Sequence, residues 1–382
     1  MYDGIKIECT LNDRLRFSDA LEMVGRYNED TGEVMPLTAD ARYNALTFAR
    51  IPGPAAPRFM VQGSLHRFYN NGGLNDNDYT LTQVKETLQT LKDKYSIDPD
   101  KSKIINFEFG VNIQLPPGMD AQAFNKYLVS AQFKSFEKLN PRRPAVGYIA
   151  EFNEFSIKIY DKGYQAKTGA TDLVRVEIKV NRTRWLDQFG FKKGKDLFLS
   201  DLINPANVKI LGDILLNKIS SLILTPREID LRLLTKKQVI TFFQCRDARS
   251  WEEWDSKQRL RKKAQLKAIF ERINQPDPLD ILTNLVAKKW ADITHEETIT
   301  PTVTVPKTPV KRRYIHLIVE GITDILGLFK MSVGVRVGVR TVNFYMYYPR
   351  GVTLTTGPPR QKVKSWVVPR LIEQRIRGPP RQ

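Results

Sequence analysis

The chain has 382 residues, 41% of them hydrophobic, which is enough to bury the core of one elaborated domain or of two. It carries 60 lysines and arginines against 42 aspartates and glutamates, and the net charge of +18 favours a polyanionic partner, nucleic acid first and an anionic membrane second. Neither an apolar run of about 18 residues nor an apolar N-terminal signal is visible, and there are two cysteines, so we expect a cytoplasmic protein without a membrane span or structural disulfides.

The first strong local patterns lie between residues 60 and 100. The run 63–70 alternates, carries His66 and ends in turn residues, which predicts a strand. Thr80 and Gln83 then fit a capping box, and apolar residues recur at helical spacing as far as Tyr95. A strand followed by a helix is therefore predicted.

The segment 104–115 alternates apolar and polar residues over its whole length. Because side chains of a strand point alternately to its two faces, this pattern predicts a half-buried strand with Glu108 and Asn112 on its polar face. A second helix is predicted over about 120–139.

Two strand-like runs follow, at 155–160 and 174–180. Lys158 and Tyr160 lie on the polar face of the first run, and Glu177 lies on that of the second. The order of elements predicts an α+β fold, with a mainly antiparallel sheet that has helices on one face and an open polar catalytic face, followed by a helical region and a basic tail.

The C-terminal half is predicted to be helical from about 202 to 290. One of its segments, 251–273, is strongly basic, and its cations are Lys257, Arg259, Arg261, Lys262, Lys263, Lys267 and Arg272. A solvated helix face and a phosphate-binding helix are both consistent with this run. Most of the net positive charge lies from residue 306 onwards, where 15 lysines and arginines stand against 3 acids.

The patterns divide the chain into four parts. We predict a catalytic α+β domain over 1–205, a helical DNA-binding or accessory region over 206–297, and a linker rich in Thr and Pro over 298–313. The remaining residues, 314–382, are predicted to be a basic tail of unassigned fold.

Strand periodicity alone collects several polar residues on the open face of the sheet. They are His66, Glu108, Asn112, Lys158, Tyr160 and Glu177. Carboxylates and an imidazole suit Mg²⁺ or Mn²⁺, which polarise a scissile phosphate. A tyrosine hydroxyl has an ordinary pKa of about 10, so as a nucleophile it needs a neighbouring lysine or metal.

Each of these residues also has a purely structural interpretation. A strand tyrosine often packs, Glu177 beside Arg175 and Lys179 fits a cross-strand ion pair, and His66 fits a hydrogen-bonded structural histidine. Tyr164, four residues after Tyr160, is a rival nucleophile.

Missing motifs exclude several classes of protein. The chain has three histidines, so the paired His-apolar-His metal motif of one large group of DNA-nicking enzymes cannot be built. It lacks the phosphate-binding GxxxxGK[ST] motif of ATP-driven helicases and the Cys and His spacings of zinc sites.

The remaining motifs resemble those of one family in type and order. FSIKIYDKGYQ followed by LVRVEIKV resembles the strand with the nucleophilic tyrosine and the Arg-x-Glu strand of rolling-circle replication initiators of the Rep_trans type, which serve small plasmids and are related to filamentous phage initiators. IINFEFGVNI resembles their acidic metal-binding strand, GSLHRFYN takes the place of an earlier ligand strand, and residues 239–273 resemble their late helical segment. The resemblance covers about 63–273, with His66 and Asn112 where acids would be expected.

The resemblance implies a site-specific endonuclease that nicks and rejoins origin DNA through a 5′-phosphotyrosine intermediate and releases a 3′ hydroxyl for a polymerase. The implied roles are Tyr160 as nucleophile, Lys158 and Lys162 as phosphate-orienting cations, and Glu108, Glu177 and His66 as ligands of Mg²⁺ or Mn²⁺.

The resemblance also implies the partners. These are double-stranded and extruded single-stranded origin DNA, a host replication helicase and a polymerase, in the cytoplasm of a bacterial host and without a membrane. The basic helix, through Arg259, Arg261, Lys262, Lys263 and Lys267, and the basic tail would grip duplex phosphates. Termination needs a second nucleophile, which Tyr164 or a second copy in a homodimer would supply.

Two other functions fit the sequence. The first is a non-enzymatic, sequence-specific DNA-binding protein for copy control or transcription, in which Tyr160 stacks on a base. The second is a basic structural protein bound to RNA or an anionic membrane, which the acidic strip centred on Glu108 and Glu177 disfavours. Metal dependence and a covalent tyrosine adduct separate the enzyme from the non-enzymatic DNA-binding protein.

Overall fold

In a computed structural model of the chain, the structure describes residues 1–9, 21–27, 30–54, 58–140, 142, 146–191 and 197–295, together with the backbone of 318–323, 329–337 and 340–348. The chain forms two compact units, Met1–Thr298 and Ile299–Gln382.

A ten-stranded antiparallel sheet forms the centre of the first unit, in the order β2-β3-β4-β5-β1-β6-β12-β11-β10-β9. Its strands are β1 Tyr2–Cys9, β2 Val24–Tyr27, β3 Val34–Tyr43, β4 Leu46–Ile51, β5 Arg58–Ser64, β6 Lys103–Gln114, β9 Glu137–Lys138, β10 Gly147–Glu151, β11 Phe155–Asp161 and β12 Leu173–Val180. A second, three-stranded sheet joins β7 Leu128–Ala131, β8 Lys134–Ser135 and β13 Leu222–Leu224.

Nine helices are described in this unit. They are α1 Leu65–Tyr69, α2 Leu81–Tyr95, α3 Ala121–Asn125, α4 Lys162–Ala166, α5 Pro205–Ser220, α6 Lys236–Arg246, α7 Ala248–Glu253, α8 Ser256–Arg272 and α9 Pro278–Thr294. Short 3₁₀ turns occupy Thr183–Phe189, Leu199–Ile203 and Leu231–Leu233. The α+β class predicted from the sequence is confirmed.

Alternation along the central strands separates an apolar face from a polar one. On β12, Val174, Val176, Ile178 and Val180 are fully buried in the main core. Helices α5 and α9 pack against each other, and α9 packs against β6, so they cover this apolar face. The opposite face of the same strands carries the charged residues predicted from the sequence.

The predicted strand at 63–70 is wrong beyond its first two residues. Strand β5 ends at Ser64, whose hydroxyl accepts a hydrogen bond from the Arg67 backbone N–H and so caps helix α1. His66 therefore lies on a helix and not on a strand. The predicted capping box of Thr80 and Gln83 at the start of α2 is confirmed.

The predicted helix at 120–139 is also wrong for most of its length. Helix α3 ends at Asn125, and β7 and β8 then form a hairpin whose turn residues, Gln132 and Phe133, both have positive φ. The helical prediction for 202–290 is confirmed for α5 to α9, although the short strand β13 interrupts it.

Helices α6, α7 and α8 share a smaller core with β7 and β13. This core contains Val129, Ile223, Phe242, Cys245, Trp251, Leu266, Ile269, Phe270 and Ile273. The indole N–H of Trp251 donates to the Cys245 carbonyl at 2.8 Å. This buried hydrogen bond stabilises the turn between α6 and α7.

The described part of the second unit consists of three antiparallel strands, β14 Ile318–Thr323, β15 Phe329–Val337 and β16 Arg340–Tyr348. The predicted linker at 298–313 lies outside the described residues, as does the tail beyond Tyr348. Among the described helices of the chain, none is long and apolar enough to cross a membrane.

Candidate active site

Three carboxylates meet on the polar face of the sheet. Asp3 on β1, Glu108 on β6 and Glu177 on β12 each offer an oxygen, and these three oxygens lie within 4.8 Å of one another. The three strands are direct neighbours, and Gly110 of β6 lies opposite Glu177. A Cβ atom at Gly110 would clash with the Val176 carbonyl oxygen, so glycine permits the close approach of β6 to β12 at this point.

Asp3 is a member of the cluster that sequence analysis missed. With strict alternation Asp3 would share the buried face of Ile5, but the register between β1 and β6 shifts between Tyr2 and Ile5. An extra residue of this kind is a β-bulge, which redirects a side chain. The only sequence signal for Asp3 was the presence of an acidic residue two positions before Ile5, at the start of the alternating run of β1.

Several polar groups hold Asp3 in its charged form. Burial alone would raise the pKa of Asp3, but Arg175 and hydrogen bonds from Ser64 and Asn75 hold that pKa below its ordinary value. Arg175 Nη2 lies 3.2 Å from Asp3 Oδ2, and Arg175 Nε lies 2.9 Å from Glu177 Oε2. Arg175 therefore pairs with Glu177 within β12, and the cross-strand ion pair considered for Glu177 is made with Lys158 of β11.

Lys158 on β11 bridges the other two acids. Its Nζ donates to Glu108 Oε1 at 2.7 Å and to Glu177 Oε1 at 2.9 Å. Lys158 lies directly opposite Glu177 in the register of β11 and β12. Lys179 lies farther out, with its Nζ 3.7 Å from Glu108 Oε1.

Tyr160 lies beside this cluster. Its hydroxyl donates to Glu177 Oε2 at 3.3 Å, and the residue is 6% exposed. Burial, and then the negative charge of Glu177, raise the pKa of Tyr160 well above its ordinary value. The phenol is therefore protonated at neutral pH, with a carboxylate in place to accept its proton.

The segment 74–77 adjoins the acid cluster, which it contacts through Asn75. The Asn75 side chain donates to Asp3 Oδ2 at 2.7 Å and accepts from Lys162 Nζ at 2.6 Å. Asn112, predicted on the polar face, donates to the carbonyls of residues 75, 76 and 77 and so anchors this segment. Burial, and then the charge of Arg175, lower the pKa of Lys162 to about 8.

His66 lies outside the carboxylate cluster. Its ring stacks on Tyr79 with 4.8 Å between ring centroids, and its Nε2 lies 2.7 Å from Asn77 Oδ1. Burial, and then positive charge that includes Arg175, lower the pKa of His66 to about 4. The hydrogen-bonded structural histidine considered from the sequence matches this environment.

We expect His66 to make the free energy of unfolding depend on pH. The unfolded histidine, with a pKa of about 6.5, binds a proton more readily than the folded one, so stability falls as the pH drops from about 6.5 towards 4. His66→Gln keeps a hydrogen-bonding side chain that does not titrate. Urea unfolding between pH 7 and pH 4 should show a wild-type loss about 3 kcal/mol larger than that of the variant. Parallel curves would contradict this assignment.

The two candidate tyrosines lie in different surroundings. Tyr164 on α4 is 49% exposed and lines a cavity of about 520 Å³ together with Asp120, Asp161 and Thr171. Asp161 Oδ1 accepts from the Tyr164 backbone N–H at 2.8 Å and starts α4. Tyr160, and not Tyr164, therefore adjoins the acids.

The structure gives several predicted DNA-binding residues contacts within the protein. Arg259 donates to the Trp251 and Glu252 carbonyls and lies 4.2 Å from the centre of the Phe133 ring. The other contacts are Lys262 Nζ to Gln244 Oε1 at 2.7 Å, Lys263 over Phe133 at 5.6 Å and Lys267 to Asp280 at 3.9 Å. Arg261 is exposed. The Arg259 side chain thus helps to join α7 to α8.

The acid cluster fits a divalent cation in donor type. Three carboxylates supply the hard oxygen ligands that Mg²⁺ and Mn²⁺ prefer. Asp3, Glu108 and Glu177 lie close enough together to share one ion. The Lys158 ammonium group lies between Glu108 and Glu177, where their carboxylates concentrate negative charge.

Comparisons with known proteins yield little beyond this geometry. No protein-family model matches the sequence, and no curated protein matches it significantly. Among solved structures, the chain is similar to a rolling circle replication initiator protein from Geobacillus stearothermophilus, with a TM-score of 0.31 and 12% identity over 64% of this chain and 96% of that chain. A likeness of that degree does not establish an activity for this chain.

Proposed function

We propose that this protein is a rolling-circle replication initiator that nicks and rejoins DNA with Tyr160 as its nucleophile. The observation that carries the proposal is the meeting of three carboxylates beside the Tyr160 hydroxyl on neighbouring strands. The order of motifs in the sequence, which resembles that of Rep_trans initiators, supports the same chemistry.

The chemical step is a transesterification at phosphorus. The Tyr160 hydroxyl oxygen forms a bond to the phosphorus atom of a DNA phosphodiester, and the bond from phosphorus to the 3′ oxygen breaks. The Tyr160 proton passes to Glu177 Oε2, its hydrogen-bond acceptor, and the departing 3′ oxygen takes up a proton from water. The 5′ phosphate remains on Tyr160, and attack by a 3′ hydroxyl reverses the step and rejoins the strand.

A divalent metal fits this proposal, with Asp3, Glu108 and Glu177 as its ligands. Bound there, Mg²⁺ or Mn²⁺ would polarise the phosphate and stabilise the charge that develops on it. In the proposed set Asp3 replaces His66, the ligand implied by the family resemblance, since His66 Nε2 contacts Asn77 Oδ1.

Cations around Tyr160 would hold the substrate phosphate in line for attack. Lys158 and Tyr160 lie on the same face of β11, two residues apart, and Lys162 follows at the start of α4. Positive groups near a reacting phosphate stabilise the negative charge of the transition state. We propose both lysines for this role.

The proposed partners follow from the reaction. They are duplex and single-stranded origin DNA, a replication helicase and a polymerase, in the bacterial cytoplasm, with a homodimer or Tyr164 supplying the second nucleophile for termination. The exposed cations of α8, Arg261 above all, and the basic residues after 306 would contact phosphates.

The test is to incubate the full chain with supercoiled DNA that carries its own replicon, in Mn²⁺ or in EDTA. We expect open circles only with Mn²⁺, each with protein attached to its 5′ end, and a peptide map that places the adduct on Tyr160. Tight binding without a cut would instead indicate the non-enzymatic DNA-binding protein, and an adduct elsewhere would overturn the assignment of Tyr160.

A further inference from the structure

The Lys158 ammonium occupies the gap between two of the three clustered carboxylates. Its Nζ lies 2.7 Å from Glu108 and 2.9 Å from Glu177, and these are two of the three acids that a metal would share. We propose that Lys158 is a built-in competitor of the divalent cation, so that the metal enters only by displacing this ammonium. The inference rests on the proposed function and adds to it a control of metal loading.

The metal ion and the ammonium would compete for carboxylate oxygens of Glu108 and Glu177. A Mg²⁺ ion binds carboxylate oxygens at about 2.0–2.1 Å, whereas the ammonium contacts the same two carboxylates at hydrogen-bond distance. An ion that took the Oε1 atoms of Glu108 and Glu177 as ligands would compete with Nζ for those oxygens, and two positive charges so close together repel. The ammonium has to move away before the ion binds.

Charge balance indicates the same competition. Asp3, Glu108 and Glu177 carry three negative charges, and Lys158 and Arg175 between them supply two positive charges in direct contact. The cluster is thus largely neutralised while Lys158 stays in place. The acid cluster would attract a divalent cation most strongly after the Lys158 ammonium has moved away from it.

Lys158 and Arg175 differ in their freedom to leave. The Arg175 side chain is 3% exposed and contacts Asp3, Glu177 and the Asn75 carbonyl, and a guanidinium stays charged at all accessible pH values. The Lys158 side chain is 15% exposed and carries its charge on a flexible four-carbon stem. Lys158 is therefore the cation that moves.

The displaced Lys158 ammonium would take on a second role, close to Tyr160. Lys158 and Tyr160 point to the same face of β11, so an ammonium released from the acids stays beside the nucleophile. When the metal binds, the Lys158 ammonium would lose its contacts with Glu108 and Glu177 and would contact the substrate phosphate instead. Lys158 would therefore be free to contact the substrate phosphate only after the metal has bound.

Lys158→Met tests the competition without an activity assay. Methionine removes the charge and keeps an unbranched side chain of similar length. We expect Mn²⁺ to bind the full-length variant at least about tenfold more tightly than wild type, measured by titration calorimetry or by the loss of the free Mn²⁺ resonance. The metal-free variant should also melt at a lower temperature and gain more from saturating Mn²⁺.

Lys179→Met is the matched control. Lys179 lies 3.7 Å from the same Glu108 oxygen but is 38% exposed on the next strand, so its loss should change Mn²⁺ affinity by less than about threefold. Equal or weaker binding by Lys158→Met, with wild type binding normally, would overturn the competition and leave the proposed metal site standing. Folded wild-type and variant chains that both fail to bind millimolar Mn²⁺ would overturn the metal site itself.

A measurement on the wild-type chain detects the displacement even if the variant does not fold. An amine-acylating reagent should modify Lys158 faster in the presence of Mn²⁺ than in EDTA, since the released ammonium is no longer held by two carboxylates. Modification is located by peptide mass spectrometry, with Lys179 as the internal reference. Protection of Lys158 by Mn²⁺ would contradict the proposal.

Discussion

Tyr160→Phe should abolish nicking of supercoiled DNA, with a rate lower by roughly 10⁴-fold or more. Phenylalanine keeps the ring in its buried position and removes only the hydroxyl that would attack phosphorus. Glu177 loses one hydrogen bond of 3.3 Å but keeps Lys158 and Arg175 as partners, so the stability loss should be about 1 kcal/mol. DNA affinity, measured by fluorescence anisotropy, should stay within a few fold.

Tyr164→Phe is the control for this variant. Tyr164 lies on the exposed side of α4, apart from the acids, so its hydroxyl should be dispensable for the first cut. A protein that still nicks after Tyr160→Phe, and stops nicking after Tyr164→Phe, would transfer the nucleophile to Tyr164. Loss of nicking in both single variants would instead indicate that two tyrosines act in turn.

Asp3→Asn should weaken Mn²⁺ binding by at least about tenfold and reduce nicking at low metal concentration. Loss even of a group that supports a metal ligand commonly costs 10–100-fold in affinity, and Asp3 is proposed as a ligand itself. The amide can direct its oxygen towards Asn75 and Arg175 and its nitrogen towards the Ser64 hydroxyl, which also accepts hydrogen bonds. The local fold should therefore survive.

The decisive readout is rescue. If Asp3 acts through the metal, nicking by Asp3→Asn should recover as Mn²⁺ is raised, and calorimetric affinity should fall in parallel. Asp93→Asn makes the same chemical change on the exposed surface of α2, where the acid accepts hydrogen bonds from Gln89, and should have no effect. Nicking by Asp3→Asn that is lost at every Mn²⁺ concentration, with normal Mn²⁺ binding, would assign Asp3 a different role.

The part of the site on the regular central strands was predictable from the sequence. On β6, β11 and β12 the two-residue period holds without interruption around the site, so Glu108, Lys158, Tyr160 and Glu177 were correctly placed on one face. Their mutual contacts follow from strand order and register. The register itself came from the structure, since no residue of a single strand specifies its partner on the next.

The part of the site that depends on irregular backbone was not predictable in the same way. A bulge between Tyr2 and Ile5 brings in Asp3, and a serine cap at Ser64 turns the run that contains His66 into a helix. Each of these features depends on a single residue. A hydrophobic periodicity that is averaged over a whole strand does not detect it. Asn75 was also missed, because a loop residue acquires its contacts only when distant elements meet.

The basic helix illustrates a different limit of sequence analysis. Charge counting treats every cation of α8 alike, whereas Arg259 contacts two carbonyls and an aromatic ring, and Arg261 faces solvent. Cations adapt to whatever acceptor is near, so composition alone does not separate a fold-stabilising arginine from a phosphate-binding one. The choice between a solvated face and a DNA-binding face is therefore made residue by residue.

The position of β1 has a consequence for how the chain folds. Strand β1 pairs with β5 on one side and β6 on the other, so a nascent chain holds two unpaired strand edges until both have been made. Pairings between such distant segments slow folding, and exposed edges invite aggregation meanwhile. The third acid arrives later still, with β12. A fragment released from the ribosome before Glu177 is made would therefore carry an incomplete acid cluster, so the proposed DNA-cutting activity would be acquired only late in synthesis.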